Sequence, residues 1–188
     1  MGASFAGSND VAKLSDVLAQ TQLERGVELK KIGFGGGCHW CTEAVFDALN
    51  GVMAVEQGFV RSRPPNDTWS EAVIVHFDPM GISLEVLIAI HIETHSAFSN
   101  HSMRPKYRSA VYTVEKEQAV YARSALARIT NDAGQTPVTE VLELVAFKPS
   151  DTRFHDYYAT NPDRPFCKVY ISPKLAHLRA AHGKRLKT

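Results

Sequence analysis

The segment KIGFGGGCHWCTEAVFDALNG, residues 31–51, encodes a strand, a tight turn and a helix in direct succession. Residues 31–34 form a short predicted strand that ends in three glycines, which let the backbone turn sharply and approach a ligand closely. A helix is predicted from about Cys38 to Leu49, and Asn50-Gly51 is a typical signal for its end. The segment therefore places a cysteine at the mouth of a strand–turn–helix unit.

The rest of the chain predicts an alternation of strands and helices around this unit. Further strands are predicted at residues 52–60, 71–77, 107–114 and 138–147, and helices at residues 83–95, 115–130 and 152–160. The first two of these strands are joined by a proline-rich loop, which favours a hairpin. The resulting order β-α-β-β-α-β-α-β favours an α+β fold over a doubly wound parallel sheet. We therefore expect a two-layer sandwich, with helices on a mixed sheet and a ferredoxin-like β-α-β-β-α-β core.

Composition and charge argue against several classes of protein. The 188 residues carry a formal net charge of +1, which gives no indication of binding to nucleic acid or to a membrane surface. No apolar run reaches the length of about 20 residues that a transmembrane helix needs, and no secretory signal is recognisable. Three cysteines in a chain of this length do not make a disulfide scaffold. We therefore expect a cytoplasmic protein whose cysteines are catalytic, metal-binding or buried.

Cys38 is a candidate nucleophile because of its place at the start of a helix. Free backbone N–H groups and the helix dipole stabilise a thiolate there, so the pKa of such a cysteine falls below its usual value of about 8.5. A thiolate at the mouth of a turn can attack an electrophile. The opposing interpretation is a structural cysteine buried at a helix start. The three glycines argue against it, because they clear the space in front of Cys38.

Cys38 and Cys41 also form a C-x-x-C pair, which two other classes of protein use. A thioredoxin-like dithiol reductase carries such a pair at a helix start after a strand. A zinc site can also use it, with histidines such as His91 and His95 completing the ligand shell. A zincin helix is disfavoured, because Glu93 does not directly follow the first histidine. We therefore predict no metal site and keep the dithiol reductase as the main alternative.

Gly37-Cys38-His39-Trp40, followed by Glu43-Ala44-Val45-Phe46, resembles the signature of the type A methionine sulfoxide reductases, or peptide-methionine (S)-S-oxide reductases. In that family the sequence Gly-Cys-Phe-Trp opens a similar helix. Ordered blocks with the same likeness follow at residues 50–52, 55–59, 71–73, 77–79, 107–110, 157–158, 161–162 and 166–167. The resemblance thus covers residues 31–172 and is far more specific than a single motif.

The resemblance implies reduction of methionine S-sulfoxide, free or in oxidised proteins, to methionine. A sulfoxide sulfur is a poor electrophile, so a thiolate attacks it only when an acid protonates or firmly hydrogen-bonds the oxygen. Cys38 is then the attacking thiolate, Glu71 the acid and Tyr107 a second hydrogen-bond donor. The attack leaves a sulfenic acid on the nucleophile. By resemblance Cys167, on a flexible tail, resolves it; Cys41 is the alternative, because a strained disulfide can form at that spacing.

The resemblance also implies substrate-binding residues, and here the chain departs from the family pattern. Trp40 offers a flat apolar wall to the methyl group of the substrate. His39 stands where the family has Phe, and Phe59 replaces a Tyr whose hydroxyl helps to hold the sulfoxide oxygen. Residues 100–106 replace a longer polar stretch before Tyr107. These differences mark an atypical subgroup and bear on rate and substrate preference more than on the reaction.

The reductant implied by the resemblance is thioredoxin, which would reduce the enzyme disulfide without any bound cofactor. Two other functions stay open. A thioredoxin-like disulfide reductase would reduce protein disulfides and ignore the sulfoxide. A non-catalytic binder of oxidised methionine, suggested by Phe59 and the altered loop, would bind sulfoxide peptides without consuming dithiol.

The chain divides into three predicted parts. Residues 1–30 form an N-terminal extension with one amphipathic helix, residues 31–172 form the catalytic domain, and residues 173–188 form a basic C-terminal helix. The basic helix is expected to present a solvated face rather than a binding patch.

Overall fold

The computed structural model describes residues 8–187, in which six strands form one sheet. The strands are β1 Lys30–Gly35, β2 Val52–Arg61, β3 Ser70–Phe77, β4 Ala110–Thr113, β5 Glu140–Glu143 and β6 Ala146–Pro149. The α-helices of the described residues are α1 Ser8–Arg25, α2 His39–Asp47, α3 Leu84–Thr94, α4 Lys116–Ala133, α5 Tyr157–Thr160 and α6 Ser172–His182. None of the helices within residues 8–187 combines the length and apolarity needed to cross a lipid bilayer.

The centre of the sheet has the strand order β4-β1-β3-β2, with every neighbouring pair antiparallel. Helices α2 and α3 connect these strands, so this part is the predicted ferredoxin-like β-α-β-β-α-β core. Strand β5 pairs in parallel with β4 at one edge, and β6 pairs antiparallel with β2 at the other. The predicted α+β fold with a mixed sheet is therefore confirmed.

Alternation along the strands separates two apolar clusters. In β3, Val73, Val75 and Phe77 belong to the larger cluster, while Ala72 and Ile74 belong to the smaller one. The larger cluster joins one face of the sheet to helices α2, α3, α4 and α6, because side chains two residues apart in a strand share a face. The helices thus form a second layer on one face, and that layer positions the start of α2.

The prediction of a single strand at residues 138–147 is wrong, because this segment forms two short strands, β5 and β6, that pair with different neighbours. Residues of β5 pair with β4, and those of β6 pair with β2. Between them, Leu144 N–H donates to the Thr113 carbonyl and Val145 N–H donates to the Arg61 carbonyl. Two consecutive residues therefore contact strands from opposite halves of the sheet, so the sheet is strongly curved around the smaller apolar cluster.

Two other boundaries differ from the prediction. The strand predicted from residue 107 begins at Ala110, and residues 107–109 are irregular. The helix predicted at residues 152–160 is a 3₁₀ turn followed by α5, because Asp156 between them has a left-handed φ of 51°. A helix does form in the N-terminal region at Ser8–Arg25, while residues 1–7 of the predicted extension lie outside the described residues. The three-part division of the chain stays a prediction.

The segment that carries Cys167, which was predicted as a flexible tail, is helical and packed in the structure. Cys167 opens a π-helical turn, Cys167–Ile171, that runs directly into α6. Its side chain is fully buried and packs with Cys41 and Ile171. The C-terminal segment is therefore docked against α2. The basic helix predicted at residues 173–188 corresponds to α6, which ends at His182 and is followed by a 3₁₀ turn, Gly183–Arg185.

Candidate active site

Cys38 occupies the N-cap position of α2, immediately after the glycine turn. Its carbonyl accepts hydrogen bonds from the N–H groups of Cys41 at 3.1 Å and Thr42 at 3.2 Å, which starts the helix. The side chain is half-buried rather than sealed in the core. The nucleophile predicted from the sequence therefore lies at a helix N-terminus, where backbone N–H groups and the helix dipole favour a thiolate.

The pKa of Cys38 is lowered, chiefly because the Cys41 thiol donates a hydrogen bond to its sulfur. The backbone N–H groups of Trp40 and Cys41 lower it further, while burial and the nearby charge of Glu71 oppose the shift. The pKa of Cys41 is raised, because that thiol is the donor of the pair, is itself buried, and faces the negative charge on Cys38. The first proton therefore leaves Cys38, and Cys41 keeps its own.

The glycine turn packs tightly against α3. A methyl group on Gly36 would overlap the imidazole ring of His95. That ring is held in place, because its Nε2 lies 2.7 Å from the Ser109 hydroxyl, which in turn lies 2.7 Å from the Thr139 hydroxyl. The glycine is thus needed for the close approach of the turn to the helix, and this contact positions the loop that carries Cys38.

His91 and His95, considered above as zinc ligands, stack on each other with ring centroids 4.0 Å apart. Burial lowers the pKa of both, to about 4 for His95, so both rings are neutral at pH 7. Within residues 8–187, no group of three His, Cys, Asp or Glu side chains could hold a metal ion. His95 packs against the glycine turn, and both histidines line the cavity behind Cys38.

Glu71 lies buried on β3, directly beside the start of α2. Its Oε2 accepts a hydrogen bond from the His39 backbone N–H at 3.2 Å and lies 3.7 Å from His39 Nδ1. His39 Nδ1 itself donates to the Gly58 carbonyl at 3.0 Å. Burial lowers the pKa of His39, although the neighbouring carboxylate opposes that shift. The structure thus brings together the predicted acid and the residue that follows the nucleophile.

Phe59 completes this corner of the site. It is the register partner of Glu71 in the pairing of β2 with β3, and its ring meets the His39 ring edge-on with centroids 5.4 Å apart. The two positions that depart from the family pattern are therefore in contact with each other and lie beside the same carboxylate.

Lys106 is a site residue that sequence reasoning missed. Its Nζ lies 3.4 Å from Glu71 Oε1 and 5.0 Å from the centre of the Tyr107 ring. A hydrogen bond with the Tyr107 side chain and the charge of Glu71 raise the pKa of Lys106. The only signal in the sequence was its position at the end of the altered loop. Lys106 thus links two predicted site residues, because it contacts both the Tyr107 side chain and the Glu71 carboxyl group.

Trp40 is half-buried under the C-terminal segment. Its ring stacks on that of Tyr157 with centroids 4.1 Å apart and planes 8° from parallel, and Phe154 and Phe166 flank it at 5.5 and 5.3 Å. Its Nε1 is buried and finds no hydrogen-bond partner among residues 8–187. The aromatic wall beside Cys38 is therefore built from α2 and from a distant part of the chain, and contact between Trp40 and a substrate stays a prediction.

All three cysteines are free thiols. Cys41 contacts Cys38 on one side and the buried Cys167 on the other. A cavity of about 60 Å³ behind the pair is lined by Cys38, Cys41 and Lys174 of α6, among other residues. Burial raises the pKa of Cys167, and Lys174 partly offsets the raised pKa of Cys41. Lys174 is a second residue that the sequence did not reveal.

Comparison with known proteins gives a consistent result. A family model described as peptide methionine sulfoxide reductase matches residues 30–186. The peptide methionine sulfoxide reductase MsrA of Deinococcus radiodurans is 32% identical, with 100% of each chain covered. The structure of methionine sulfoxide reductase A of Corynebacterium diphtheriae superposes with a TM-score of 0.61 at 25% identity, over 71% of this chain and 76% of that one.

A further solved structure is Mxr1 from Saccharomyces cerevisiae in complex with Trx2. It superposes with a TM-score of 0.54 at 16% identity, over 66% of this chain and 82% of that one. At this identity the likeness shows the shared fold.

Proposed function

This chain belongs to the peptide methionine sulfoxide reductase family, and from that we propose that it reduces methionine S-sulfoxide, free or within oxidised proteins, to methionine. The observation that carries the proposal is the meeting of a half-buried cysteine of lowered pKa with a buried carboxyl group at the start of α2. A sulfoxide needs both groups at once, because its sulfur is attacked only as its oxygen is protonated.

In the proposed first step, the Cys38 thiol passes its proton to the Glu71 carboxylate, and the resulting thiolate attacks the substrate sulfur while Glu71 gives that proton to the oxygen. The sulfur–oxygen bond of the substrate breaks, and the oxygen passes to Cys38 as a sulfenic acid. The substrate sulfur gains two electrons and leaves as the thioether of methionine, and the nucleophile is oxidised by the same two electrons. The Tyr107 hydroxyl and Lys106 support the step, because they lie beside the carboxyl group and can hydrogen-bond the departing oxygen.

We assign the first disulfide to Cys38 and Cys41. The Cys41 thiol already contacts the Cys38 sulfur, so its attack on the sulfenic acid needs little movement, and it releases the oxygen as water. Cys167 remains the resolving cysteine implied by family resemblance, and its packing against Cys41 supports a second exchange that moves the disulfide to that pair. The thiol order Cys38, Cys41, Cys167 then leads from the substrate pocket to the C-terminal segment.

An external dithiol must finally reduce the enzyme disulfide, and we propose thioredoxin for this role. The complex of yeast Mxr1 with Trx2 supports the assignment, because that protein shares the fold. The three free thiols also suit a reducing compartment, so we propose a cytoplasmic location and a role in repairing oxidised proteins.

One assay tests the function against both alternatives. Dithiol consumption is measured with the two epimers of free and peptide-bound methionine sulfoxide, and Cys38→Ser serves as the inactive control. We expect consumption with the S epimer, one dithiol per methionine formed. Reduction of insulin disulfides without use of sulfoxide would instead identify a general disulfide reductase, and binding of sulfoxide peptides without dithiol consumption would identify a non-catalytic binder.

A further inference from the structure

A buried carboxylate, Glu43, lies on α2 one turn after His39 and outside the group of reacting residues. Its side chain faces β2 and residues 154–157. Gln57 Nε2 donates to both of its oxygens at 3.0 Å. The backbone N–H of Asp156 donates to Oε1 at 3.1 Å, and that of Tyr157 donates to Oε2 at 3.3 Å. Each carboxyl oxygen therefore accepts one hydrogen bond from the Gln57 side chain and one from a backbone N–H group.

These contacts fix a turn that the chain would not hold by itself. Asp156 has a φ of 51°, a left-handed conformation that is unfavourable for a residue with a side chain. Gln57 adds a hydrogen bond to the Phe154 carbonyl from the other side. Glu43 supplies the acceptors for the backbone N–H groups of Asp156 and Tyr157, and both of these hydrogen bonds are partly shielded from water.

This turn sets the position of Tyr157, the residue that directly follows Asp156. Its ring stacks on Trp40 at 4.1 Å, and the Arg164 guanidinium lies 4.2 Å from the centre of the same ring. Trp40 follows Cys38 by two residues, so any tilt of Tyr157 changes the aromatic surface beside the nucleophile. A carboxylate that touches none of the reacting atoms is thus linked to the wall of the site through one backbone turn.

We propose that Glu43 is a positioning residue of the reductase site, which holds the backbone of Asp156 and Tyr157 so that the Tyr157 ring stays flat on Trp40. The inference rests on the proposed function for its kinetic consequence. Its structural consequence, the link between the carboxylate and the indole, holds whatever the reaction is.

The charge state of Glu43 supports this link. Burial raises its pKa to about 7, while the hydrogen bonds from Asp156, Tyr157 and Gln57 oppose the shift. Protonation converts one acceptor oxygen to a donor, so one of the two N–H groups loses its partner below that pH. The other charged groups that face Glu43 are Asp47, Asp156 and Arg179, which line the same cavity of about 200 Å³.

Tryptophan emission gives a readout that does not depend on activity. Trp40 and Trp69 are the two tryptophans of the chain, so Trp69→Phe leaves Trp40 as the sole emitter. In that background we expect the emission of Trp40 to change with a midpoint near pH 7. Glu43→Gln should abolish the transition, and Tyr157→Ala should give the unstacked spectrum at every pH. His39→Phe is the control for the other nearby titrating ring, and it should leave the midpoint near pH 7 in place.

The kinetic readout separates positioning from chemistry. Glu43→Gln should raise the KM for sulfoxide about tenfold while the rate of Cys38 alkylation stays at the wild-type value. The double variant with Tyr157→Ala should be no worse than Tyr157→Ala alone, because the two residues act through one contact. If Glu43→Gln fails to fold, Tyr157→Ala still has to raise KM and shift the emission.

Emission and KM that both stay unchanged in Glu43→Gln would overturn the proposal. Failure of the proposed function would look different: the wild-type protein would not reduce sulfoxide, yet the Trp40 transition and its loss in Glu43→Gln would remain.

Discussion

The Cys41 thiol donates a hydrogen bond to the Cys38 sulfur from one helical turn further along α2. This contact is the largest cause of the lowered pKa of Cys38, ahead of the backbone N–H groups at the helix start. It also places the second thiol against the sulfur atom that the proposed reaction would oxidise. Cys38 and Cys41, the proposed nucleophile and its proposed first partner, thus share one hydrogen bond, and several expected outcomes depend on it.

Replacement of the donor should shift the titration of the nucleophile. Cys41→Ala removes the hydrogen bond, so we expect the pKa of Cys38 to rise and its alkylation by iodoacetamide to need a higher pH. Cys41→Ser is the matched control, because its hydroxyl can still donate. Equal titration curves for Cys41→Ala and the wild-type protein would contradict the hydrogen bond as the cause.

The order of disulfides can be read after a single turnover. In Cys167→Ser, one equivalent of sulfoxide should still yield the Cys38–Cys41 disulfide, whereas Cys41→Ala should leave a sulfenic acid that dimedone traps. Peptide mapping by mass spectrometry distinguishes the two products. The reverse pattern, with trapping in Cys167→Ser alone, would assign resolution to Cys167.

Glu71→Gln should make Cys38 easier to ionise but should slow the reduction of the sulfoxide. Loss of the negative charge lowers the pKa of Cys38 further, because that charge raises it in the wild-type protein. Loss of the acid should nevertheless slow single-turnover formation of methionine by about a hundredfold or more. Alkylation at low pH and methionine release measure the two effects separately. Slower alkylation together with slower reduction would indicate a disturbed site instead of a missing acid.

Lys174→Gln should act on the second step alone. Lys174 lies in the cavity behind the cysteine pair and partly offsets the raised pKa of Cys41, so its loss makes the Cys41 thiolate rarer. We expect methionine to form at the wild-type rate in the first turnover, while the disulfide, measured as the disappearance of free thiols, forms more slowly. Lys168→Gln is the control, since Lys168 is exposed and pairs with Asp163 at 3.0 Å. An equal delay in both variants would point to a general effect of charge.

Glu43 should make the stability of the fold depend on pH. Its pKa rises on folding from 4.5 to about 7, so the folded state binds the proton more tightly than the unfolded state. That contribution is complete below pH 4.5 and is lost as the pH rises to about 7. Relative to Glu43→Gln, the free energy of unfolding of the wild-type protein should therefore fall by up to about 3 kcal/mol across this range. Denaturant titrations at several pH values measure the difference, and a constant difference would contradict it.

The parts that the sequence predicts well are those set by local pattern. The alternation of Val73, Val75 and Phe77 with their neighbours predicts the strand β3, and the glycine turn predicts a helix that begins at about Cys38. Both depend on residues close in the chain, so composition and spacing suffice. Glu71 was predicted through family resemblance; in the structure it pairs with Phe59 of β2, and its backbone N–H donates to the Lys106 carbonyl.

The parts that sequence reasoning missed depend on contacts between distant segments. Cys167 was expected on a flexible tail, but the stacking of Trp40 on Tyr157 and the packing of Ile171 dock that segment on α2. Lys106 reaches the site from a loop, and Lys174 reaches it from the last helix. The local sequence around a lysine does not indicate which distant residue its side chain contacts. The break between β5 and β6 likewise arises from two different partner strands.

That break has a consequence for how the molecule meets other chains. Both outer strands of the sheet, β5 and β6, are only four residues long, and β6 ends in Lys148 and Pro149. Short edges with a lysine and a proline offer few free backbone groups to a strand from another molecule. The edges of this sheet therefore resist the addition of a strand from another chain.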